Sequence, residues 1–297
     1  MAESFEILPG EDLEKVLRRA SAYLASAGVE NPRVDAELLA AHCLSRSKGE
    51  YISRGRVQSL ALLGESVPEK LAELLSLRAQ RIPLQHLTGV AYFRHLELKV
   101  GPGVFVPRPE TEELVSRVVR EIDRRSAPLK IADLCTGSGA IAASIAFERS
   151  AHTVKAVELS ELALAWTAQN LAGTHVELVG ADATTAFAGE EDTFDIIASN
   201  PPYIPQNAVP KDLEVREHDP AMALFGGSDD GLKIPRAICQ RASALLKPAG
   251  FLIMEHAETQ RQAMREILAE NGFENIESID DLAGRARHTA GYKRVNS

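Results

Sequence analysis

The sequence lacks the features that mark secreted, membrane-spanning and metal-clustered proteins. It contains three cysteines among 297 residues, without a Cys-x-x-Cys pair, which indicates neither a disulfide framework nor a zinc site. Its N-terminal segment has no basic patch followed by an apolar run, and no apolar stretch is long enough to span a bilayer. We therefore expect a cytoplasmic protein that binds no metal and no membrane.

Positive charge is also scarce. Lys plus Arg total 33 against 42 for Asp plus Glu, which gives a formal net charge of −9. Broad binding to nucleic acid needs clustered cations that neutralise phosphates, so this balance argues against such binding without excluding a local basic groove. With 45% apolar and 25% charged residues the composition is that of a globular protein, and the length fits a large domain plus a small one.

The first part of the chain has the periodicity of helices. Apolar residues recur every three or four positions from Glu11 to about Ala27, and Asn31-Pro32 has the cap-then-proline signature of a second helix. A further helix is predicted from Pro68 towards Arg81, and Pro83 ends the series. We predict a small helical domain over residues 1–82, followed by a linker over 83–108.

The linker is predicted to form a hairpin, with two strands in residues 92–106 and Gly101-Pro102-Gly103 as the turn. Beyond it, short β-rich runs alternate with helical ones, a pattern typical of a mostly parallel sheet covered by helices. The predicted strands are Lys130–Cys135, Thr153–Glu158, Val176–Val179, Phe194–Ser199, Gly250–Glu255, Asn275–Ile279 and His288–Val295. We predict one α/β domain over residues 109–297, in which 204–231 is a long loop without periodicity.

The run KIADLCTGSGAIAASIA predicts a strand, a glycine turn and a helix. Gly137 and Gly139 lie in the turn, where the backbone can approach a ligand, and Glu158 ends the next strand, as expected of a carboxylate that binds ribose. NAD and S-adenosylmethionine both suit this arrangement. Asp133 favours S-adenosylmethionine, because a carboxylate attracts the ammonium group of that molecule and would repel a pyrophosphate.

The tetrapeptide Asn200-Pro201-Pro202-Tyr203 follows the fourth predicted strand. The two prolines restrict the backbone, so the Pro201 carbonyl and the Asn200 amide oxygen can face one point. Two such acceptors suit a planar NH2 group, whose nitrogen they would aim at an electrophilic methyl group. Tyr203 offers a flat face on which a planar amide or base can stack. A simple proline-rich turn is the alternative for this motif taken alone.

Together these motifs make the chain resemble the HemK/PrmC family of peptide-chain release factor glutamine N5-methyltransferases. The resemblance extends over nearly the whole sequence and includes VPRPETE at 106–112, DLCTGSGAIA at 133–142, NPPY at 200–203, ALFGGSDDGL at 223–232 and DLAGRAR at 281–287. It implies a class I, Rossmann-like methyltransferase fold, S-adenosylmethionine as methyl donor and S-adenosylhomocysteine as product. It also implies methylation of the Gly-Gly-Gln glutamine of class 1 release factors, which the helical domain would help to recognise.

The resemblance assigns roles to individual residues. The cofactor would be bound by Asp133, Cys135, Thr136, Gly137, Ser138, Gly139, Glu158, Asp182, Ala183 and Asn200. The predicted catalytic motif would hold the substrate glutamine and consists of Asn200, Pro201, Pro202 and Tyr203. Arg108 and Glu110 would lie at the mouth of the site and contact the substrate. Cys135 stands where the family usually has glycine. From the residues alone, Asp182 could equally cap a helix.

Other functions are compatible with parts of the sequence. NPPY also occurs in adenine-N6 and guanine-N2 methyltransferases that act on nucleic acids, but the loop 204–231 holds only Lys211 and Arg216 against six acidic residues. A non-catalytic protein that docks on release factors or ribosomes would not need Glu158 and Asn200. An NAD-dependent dehydrogenase would leave NPPY without a role. We therefore predict methyl transfer to a protein glutamine, without a direct nucleic acid partner.

Overall fold

A computed structural model describes residues 4–8 and 10–295 of the chain. The chain forms two compact units: one takes in the described residues up to Val90 together with Pro210–His218, and the other Ala91–Val209 with the described residues from Asp219 onwards. Among these residues, no helix is long and apolar enough to cross a membrane. The predicted domain limits at residues 1 and 297 lie outside the described residues, and the boundaries predicted at 82 and 108 stay predictions.

The elements are numbered here in chain order. The helices are α1 (Leu13–Ser26), α2 (Pro32–Lys48), α3 (Arg54–Leu62), α4 (Leu71–Ala79), α5 (Leu84–Thr88), α6 (Thr111–Asp123), α7 (Ala140–Glu148), α8 (Glu161–Leu171), α9 (Leu213–His218), α10 (Ala221–Leu224), α11 (Lys233–Leu245) and α12 (Arg261–Glu270). The strands are β1 (Val90–Phe93), β2 (Leu96–Lys99), β3 (Lys130–Leu134), β4 (Thr153–Glu158), β5 (Glu177–Gly180), β6 (Phe194–Ser199), β7 (Leu246–Glu255), β8 (Phe273–Asp280) and β9 (Ala286–Lys293). A short 3-10 helix covers Glu258–Gln260.

The first unit is helical, as predicted. Asp12 caps α1 by accepting a hydrogen bond from the Lys15 backbone N–H at 2.8 Å. The apolar side of α1 is fully buried, through Leu13, Val16, Leu17, Ala20 and Leu24. The helix predicted from Pro68 begins only at Leu71, because residues 69 and 70 form a turn. The short helix α5, beyond Pro83, was not predicted, because five residues are too few to show a helical period.

The segment Pro210–His218 belongs to the helical unit although it lies far along the chain. Glu214 in α9 accepts hydrogen bonds from Arg78 Nη2 at 2.7 Å and from Arg81 Nε at 2.8 Å. Burial alone would raise the pKa of Glu214, but the two guanidinium groups lower it to about 2. The predicted loop 204–231 therefore contains α9 and α10, which are too short to give an apolar period.

The predicted hairpin exists, but its turn was placed wrongly. β1 and β2 form a two-stranded sheet joined by Arg94 and His95, so Gly101-Pro102-Gly103 follows the second strand instead of dividing the two. Arg94 has the left-handed φ of +52° and is held by hydrogen bonds to Glu148 at 2.6 and 2.8 Å. The turn of the hairpin is therefore formed by an arginine that is anchored from outside the hairpin, and not by the glycines that the sequence analysis favoured.

The second unit contains a seven-stranded sheet in the order β5-β4-β3-β6-β7-β9-β8. Neighbouring strands from β5 to β7 are parallel, and β9 is antiparallel to both β7 and β8. The predicted Rossmann-like, mostly parallel seven-stranded sheet is confirmed. β7 starts at Leu246 and not at Gly250, because Lys247 to Gly250 form an irregularity with Ala249 at φ +60° that resembles a turn in sequence.

The parallel strands bring distant residues to one side of the sheet. Leu134 at the end of β3 pairs with Val157 on one side and with Ser199 on the other. The turns that follow β3, β4, β5, β6 and β7 therefore lie along one border, which we call the carboxyl edge. The chain order reverses at β3, and open α/β sheets bind their ligands at such a reversal.

Candidate active site

The glycine turn, residues Cys135–Gly139, connects β3 to α7 at the carboxyl edge. Cys135, Gly137 and Gly139 have φ values of +65°, +58° and +85°, a left-handed conformation that glycine adopts without strain. A Cβ atom at Gly137 would meet no heavy atom within 4 Å, so its backbone faces open space. Burial, followed by the charges of Glu158 and Asp133, raises the pKa of the Cys135 thiol, which argues against a nucleophilic role.

Asp133 is a buried carboxylate with one free oxygen. Its Oδ2 accepts hydrogen bonds from Thr136 Oγ1 and from the Ala142 backbone N–H at 3.1 Å. Among the described residues, Oδ1 has no hydrogen-bond partner, and the side chain is fully buried. Burial raises the pKa of Asp133 to about 7, although the two hydrogen bonds oppose that shift. A buried carboxylate oxygen without a donor indicates a place for a cationic or N–H-bearing ligand group.

Glu158 and the residues after β5 lie next along the edge. Glu158 accepts hydrogen bonds from the backbone N–H groups of Gly137 and Ser160, each at 2.8 Å, and burial raises its pKa. Each carboxylate oxygen keeps a lone pair for a ligand hydroxyl.

Asp182 is exposed and accepts from Thr184 N and Oγ1 at 2.8 and 2.7 Å, while Ala183 is buried. Asp182 thus makes a local turn and does not cap a helix, since the described chain has no helix between β5 and β6.

The remaining predicted cofactor residues lie inside the same turn. Thr136 and Ser138 are buried, and the Ser138 carbonyl accepts from Asn170 Nδ2 at 2.9 Å. Taken together, the unpartnered Asp133 oxygen, the half-open Glu158 carboxylate and the clear space above Gly137 fit a ligand with an ammonium group and ribose hydroxyls. This donor and acceptor set is what S-adenosylmethionine requires.

The NPPY turn, residues Asn200–Tyr203, follows β6 on the other side of β3. Asn200 is half-buried, and its Nδ2 donates to Thr111 Oγ1 at 3.2 Å. Tyr203 donates its hydroxyl to Glu255 Oε1 at 3.3 Å, and burial followed by the Glu255 charge raises the pKa of Tyr203. Pro201 is buried and Pro202 half-buried. The four motif residues are thus adjacent to the glycine turn through the pairing of β3 with β6.

Three further residues support the NPPY turn, and none of them was assigned a role from the sequence. Gln260 is buried and donates from Nε2 to the carbonyls of Tyr203 and Asp230, at 2.8 and 2.9 Å. A Cβ atom at Gly231 would lie 2.2 Å from the Tyr203 carbonyl oxygen, and one at Gly226 would lie 1.8 Å from the Gly231 carbonyl oxygen. The segment ALFGGSDDGL, singled out by resemblance alone, therefore packs directly against the NPPY turn.

Arg108 and Glu110 are engaged in ion pairs. Arg108 Nη2 lies 2.7 Å from Asp219 Oδ2 and its guanidinium stacks 4.9 Å over the Phe105 ring. Glu110 pairs with Arg285 at 2.9 Å. Of the two predicted mouth residues, Glu110 immediately precedes Thr111, whose hydroxyl oxygen accepts a hydrogen bond from Asn200. In the described part of the chain, no group of three or more His, Cys, Asp or Glu side chains could hold a metal ion.

Comparisons with known proteins agree with this geometry. The family models for the PrmC N-terminal domain and the methyltransferase small domain match residues 15–89 and 97–216. The release factor glutamine methyltransferase of Mycolicibacterium smegmatis is 44% identical, over 96% of this chain and 99% of the relative. That of Streptomyces coelicolor is 42% identical, over 93% and 96%.

A third relative has a different named substrate. The 4-amino-L-phenylalanine/4-methylamino-L-phenylalanine methyltransferase of Streptomyces pristinaespiralis is 34% identical, over 88% of each chain. The two relatives named for release factor glutamine are more similar to this chain and align with nearly its full length. On these grounds, the chain belongs to the release factor glutamine methyltransferase family.

Proposed function

We propose that this protein transfers a methyl group from S-adenosylmethionine to the side-chain amide nitrogen of the glutamine in the Gly-Gly-Gln motif of class 1 peptide-chain release factors. The observation that carries the proposal is the placement of Asn200 and Pro201 at the carboxyl edge, directly beside the strand that ends in the glycine turn. The identity of 44% over nearly the full length of a release factor glutamine methyltransferase supports the substrate.

The glycine turn provides the cofactor side of the proposed site. S-adenosylmethionine supplies an electrophilic methyl group on a positively charged sulfur. We assign the free oxygen of Asp133 to its ammonium group, Glu158 to its ribose hydroxyls, and Asp182 with Ala183 to the adenine end. The residues Cys135, Thr136, Ser138 and Gly139 would shape the turn, and Gly137 would let the backbone come close to the ligand.

The NPPY turn provides the substrate side. The carbonyl of Pro201 and the amide oxygen of Asn200 would accept the two hydrogens of the glutamine NH2 group and so orient the nitrogen lone pair. Tyr203, held by its hydroxyl on Glu255, would place its ring against the planar amide, with Pro202 fixing the backbone between. The nitrogen loses its proton only after it has become cationic, so no general base is needed before the attack.

The relative that acts, by its name, on 4-amino-L-phenylalanine helps to define what such a site recognises. Its substrate carries an NH2 group on an aromatic carbon, and glutamine carries one on a carbonyl carbon. Both are planar nitrogen groups with two hydrogens, which suits a pair of fixed acceptors better than a tetrahedral amine. Nucleic acid amines share this geometry, but the six acidic residues of 204–231 would oppose phosphates.

Radiolabelled methyl transfer tests the proposal. Purified protein, methyl-labelled S-adenosylmethionine and a class 1 release factor should give labelled release factor, and a release factor whose Gly-Gly-Gln glutamine is replaced by alanine should stay unlabelled. 4-Amino-L-phenylalanine, a DNA duplex and an RNA hairpin serve as competing substrates. Equal labelling of the glutamine-free release factor, or preferential labelling of any competing substrate, would contradict the proposed function.

Asn200→Ala tests the amide grip within the same assay. The variant should keep most of its affinity for S-adenosylmethionine by calorimetry, through Asp133 and Glu158, and lose about 100-fold or more in kcat, because the substrate nitrogen is no longer oriented. Asn207→Ala is the matched control, since Asn207 lies seven positions later, is exposed, and donates from its side chain to Asp229 at 2.9 Å. Because release factors act during translation, the proposed substrate also implies a cytoplasmic location.

A further inference from the structure

A chain of hydrogen bonds runs from the Glu255 carboxylate through the Thr111 hydroxyl to the Asn200 amide. Thr111 Oγ1 lies 2.7 Å from Glu255 Oε2 and 3.2 Å from Asn200 Nδ2. Thr111 and Glu255 are only 4% and 2% exposed, so water cannot replace their bond. Thr111 begins α6, Glu255 ends β7, and Asn200 directly follows β6.

The chemistry of the three groups allows only one donor-to-acceptor direction along this series of hydrogen bonds. An ionised carboxylate only accepts hydrogen bonds, so the single proton of the Thr111 hydroxyl is directed to Glu255. The Thr111 oxygen then has only lone pairs left for Asn200, which must turn its NH2 group towards them. The amide oxygen of Asn200 is thereby directed away from Thr111.

The Glu255 carboxylate is itself fixed on both sides. Its Oε1 accepts from the Tyr203 hydroxyl at 3.3 Å, and the fully buried ring of His288 lies 3.5 Å from its Oε2. With each oxygen engaged, the carboxylate cannot rotate without breaking a contact. The orientation of Asn200 is therefore set by a group that is two hydrogen bonds away from it.

We propose that Thr111 and Glu255 are positioning residues, which hold the Asn200 amide with its oxygen, and not its nitrogen, towards the substrate NH2 group. This proposal depends on the proposed function, because it concerns how Asn200 meets the reacting amide. The two ends of an asparagine amide are nearly identical in shape, so packing alone does not choose between them. A reversed Asn200 would present a donor to a donor and lose its grip on the substrate nitrogen.

Thr111→Val tests the proposal, because valine keeps the shape of threonine and removes the hydroxyl. The expected result is a fall in kcat of about 10- to 100-fold, as for other misplacements of an orienting group. The KM for the release factor and the Kd for S-adenosylmethionine should change much less than kcat, since one amide supplies only a small part of the binding of either molecule. Thr111→Ser keeps the hydroxyl and should restore most of the kcat. Thr193→Val, which removes a hydroxyl bonded to Glu190 and Lys130 before β6, is the matched control and should behave as wild type.

Glu255→Gln gives a second test that does not depend on how Thr111→Val folds. Glutamine has nearly the same volume, but its Nε2 can donate to Thr111. The Thr111 proton is then free for the Asn200 oxygen, so the donor-to-acceptor direction of the hydrogen bonds reverses. The kcat should fall while the Kd for S-adenosylmethionine is kept.

The outcomes separate the positioning proposal from the proposed function. If wild-type protein methylates the release factor and both Thr111→Val and Glu255→Gln keep its kcat, the positioning proposal is wrong and the proposed function stands. A loss in Thr111→Ser equal to that in Thr111→Val would also overturn it, because the hydroxyl would then not be the active feature. If wild-type protein transfers no methyl group to the release factor, both proposals fail together.

Discussion

The glycine turn and the NPPY turn lie at the same edge of the sheet, but the residues that hold them lie at different distances along the chain. The glycine turn is held by residues nearer in sequence: Asp133 accepts from Thr136 and from Ala142, three and nine positions away, and Glu158 and Asn170 lie 21 and 32 positions from their partners. The NPPY turn is held by residues from elsewhere in the chain, such as Thr111 and Gln260, which are 89 and 57 positions from their partners.

The two turns also differ in how much space surrounds them. A Cβ atom at Gly137 in the glycine turn would meet nothing within 4 Å, whereas one at Gly231 would overlap the Tyr203 carbonyl of the NPPY turn. The glycine turn therefore has free space on the side where we propose that the ligand binds. The NPPY turn is tightly packed, and residues from other elements fix the orientation of its side chains and carbonyl groups.

Gly231→Ala should give the largest effect, because it adds a methyl group 2.2 Å from the Tyr203 carbonyl oxygen at a residue with φ +72°. We expect the free energy of unfolding of the second unit to fall by about 2–5 kcal/mol, from overpacking plus left-handed strain. Urea unfolding, followed by the fluorescence of the single tryptophan, Trp166 in α8, measures this change.

Gly137→Ala is the control for that comparison. Its φ is +58° but its new methyl group would enter open space, so only the strain of about 1–2 kcal/mol is expected. The affinity for S-adenosylmethionine should fall in Gly137→Ala, because the methyl group would occupy the ligand side of the turn. Equal destabilisation by the two substitutions would show that the NPPY turn is no more tightly packed than the glycine turn.

The same contrast explains how much of the site could be predicted from the sequence. The glycine turn is a local motif, so Asp133, the two glycines and the acid that ends β4 are recognisable from spacing alone. The alternation of strands and helices likewise predicted the sheet, because each element buries its own apolar residues. In both cases the physical cause lies within a short stretch of chain.

The support of the NPPY turn could not be predicted in this way. Nothing in the spacing of Thr111 or Gln260 indicates that α6 begins beside Asn200, or that the 3-10 helix ends beside Tyr203. Those contacts follow from the strand order, which places β7 next to β6, and strand order is a property of the whole sheet. The hairpin turn was placed wrongly for a related reason, since the Arg94 conformation depends on Glu148 in α7.

The second prediction concerns the unpartnered charge of the glycine turn. In the absence of ligand the pKa of Asp133 is raised from 3.8 to about 7, so between these values the native chain binds a proton that the unfolded chain has released. The free energy of unfolding should therefore decrease as the pH rises from about 5 to about 7, by about 1–3 kcal/mol. Asp133→Asn cannot ionise and should remove most of this dependence.

Ligand binding should respond to pH in the opposite sense. An ionised Asp133 attracts an ammonium group, so the affinity for S-adenosylmethionine should increase from about pH 6 to about pH 8 in wild type. Calorimetry on wild type and Asp133→Asn across this range measures the difference. A wild-type stability that is flat between these pH values would mean that Asp133 is solvated in the free protein and the glycine turn is even more open than described.

The smallest effect is expected at Cys135, where a cysteine has a left-handed φ of +65°. Cys135→Gly removes about 1–2 kcal/mol of strain but makes the unfolded chain more flexible, which costs about 0.4–1 kcal/mol. The free energy of unfolding should rise by up to about 1 kcal/mol.

Ala249→Gly is the matched control, because Ala249 has φ +60° and is exposed, away from the carboxyl edge. If Cys135→Gly destabilises the unit while Ala249→Gly stabilises it, the packing of the thiol outweighs its backbone strain. The glycine turn would then be held by side-chain packing, as the NPPY turn is, and the contrast between the two turns would rest on their open and filled sides alone.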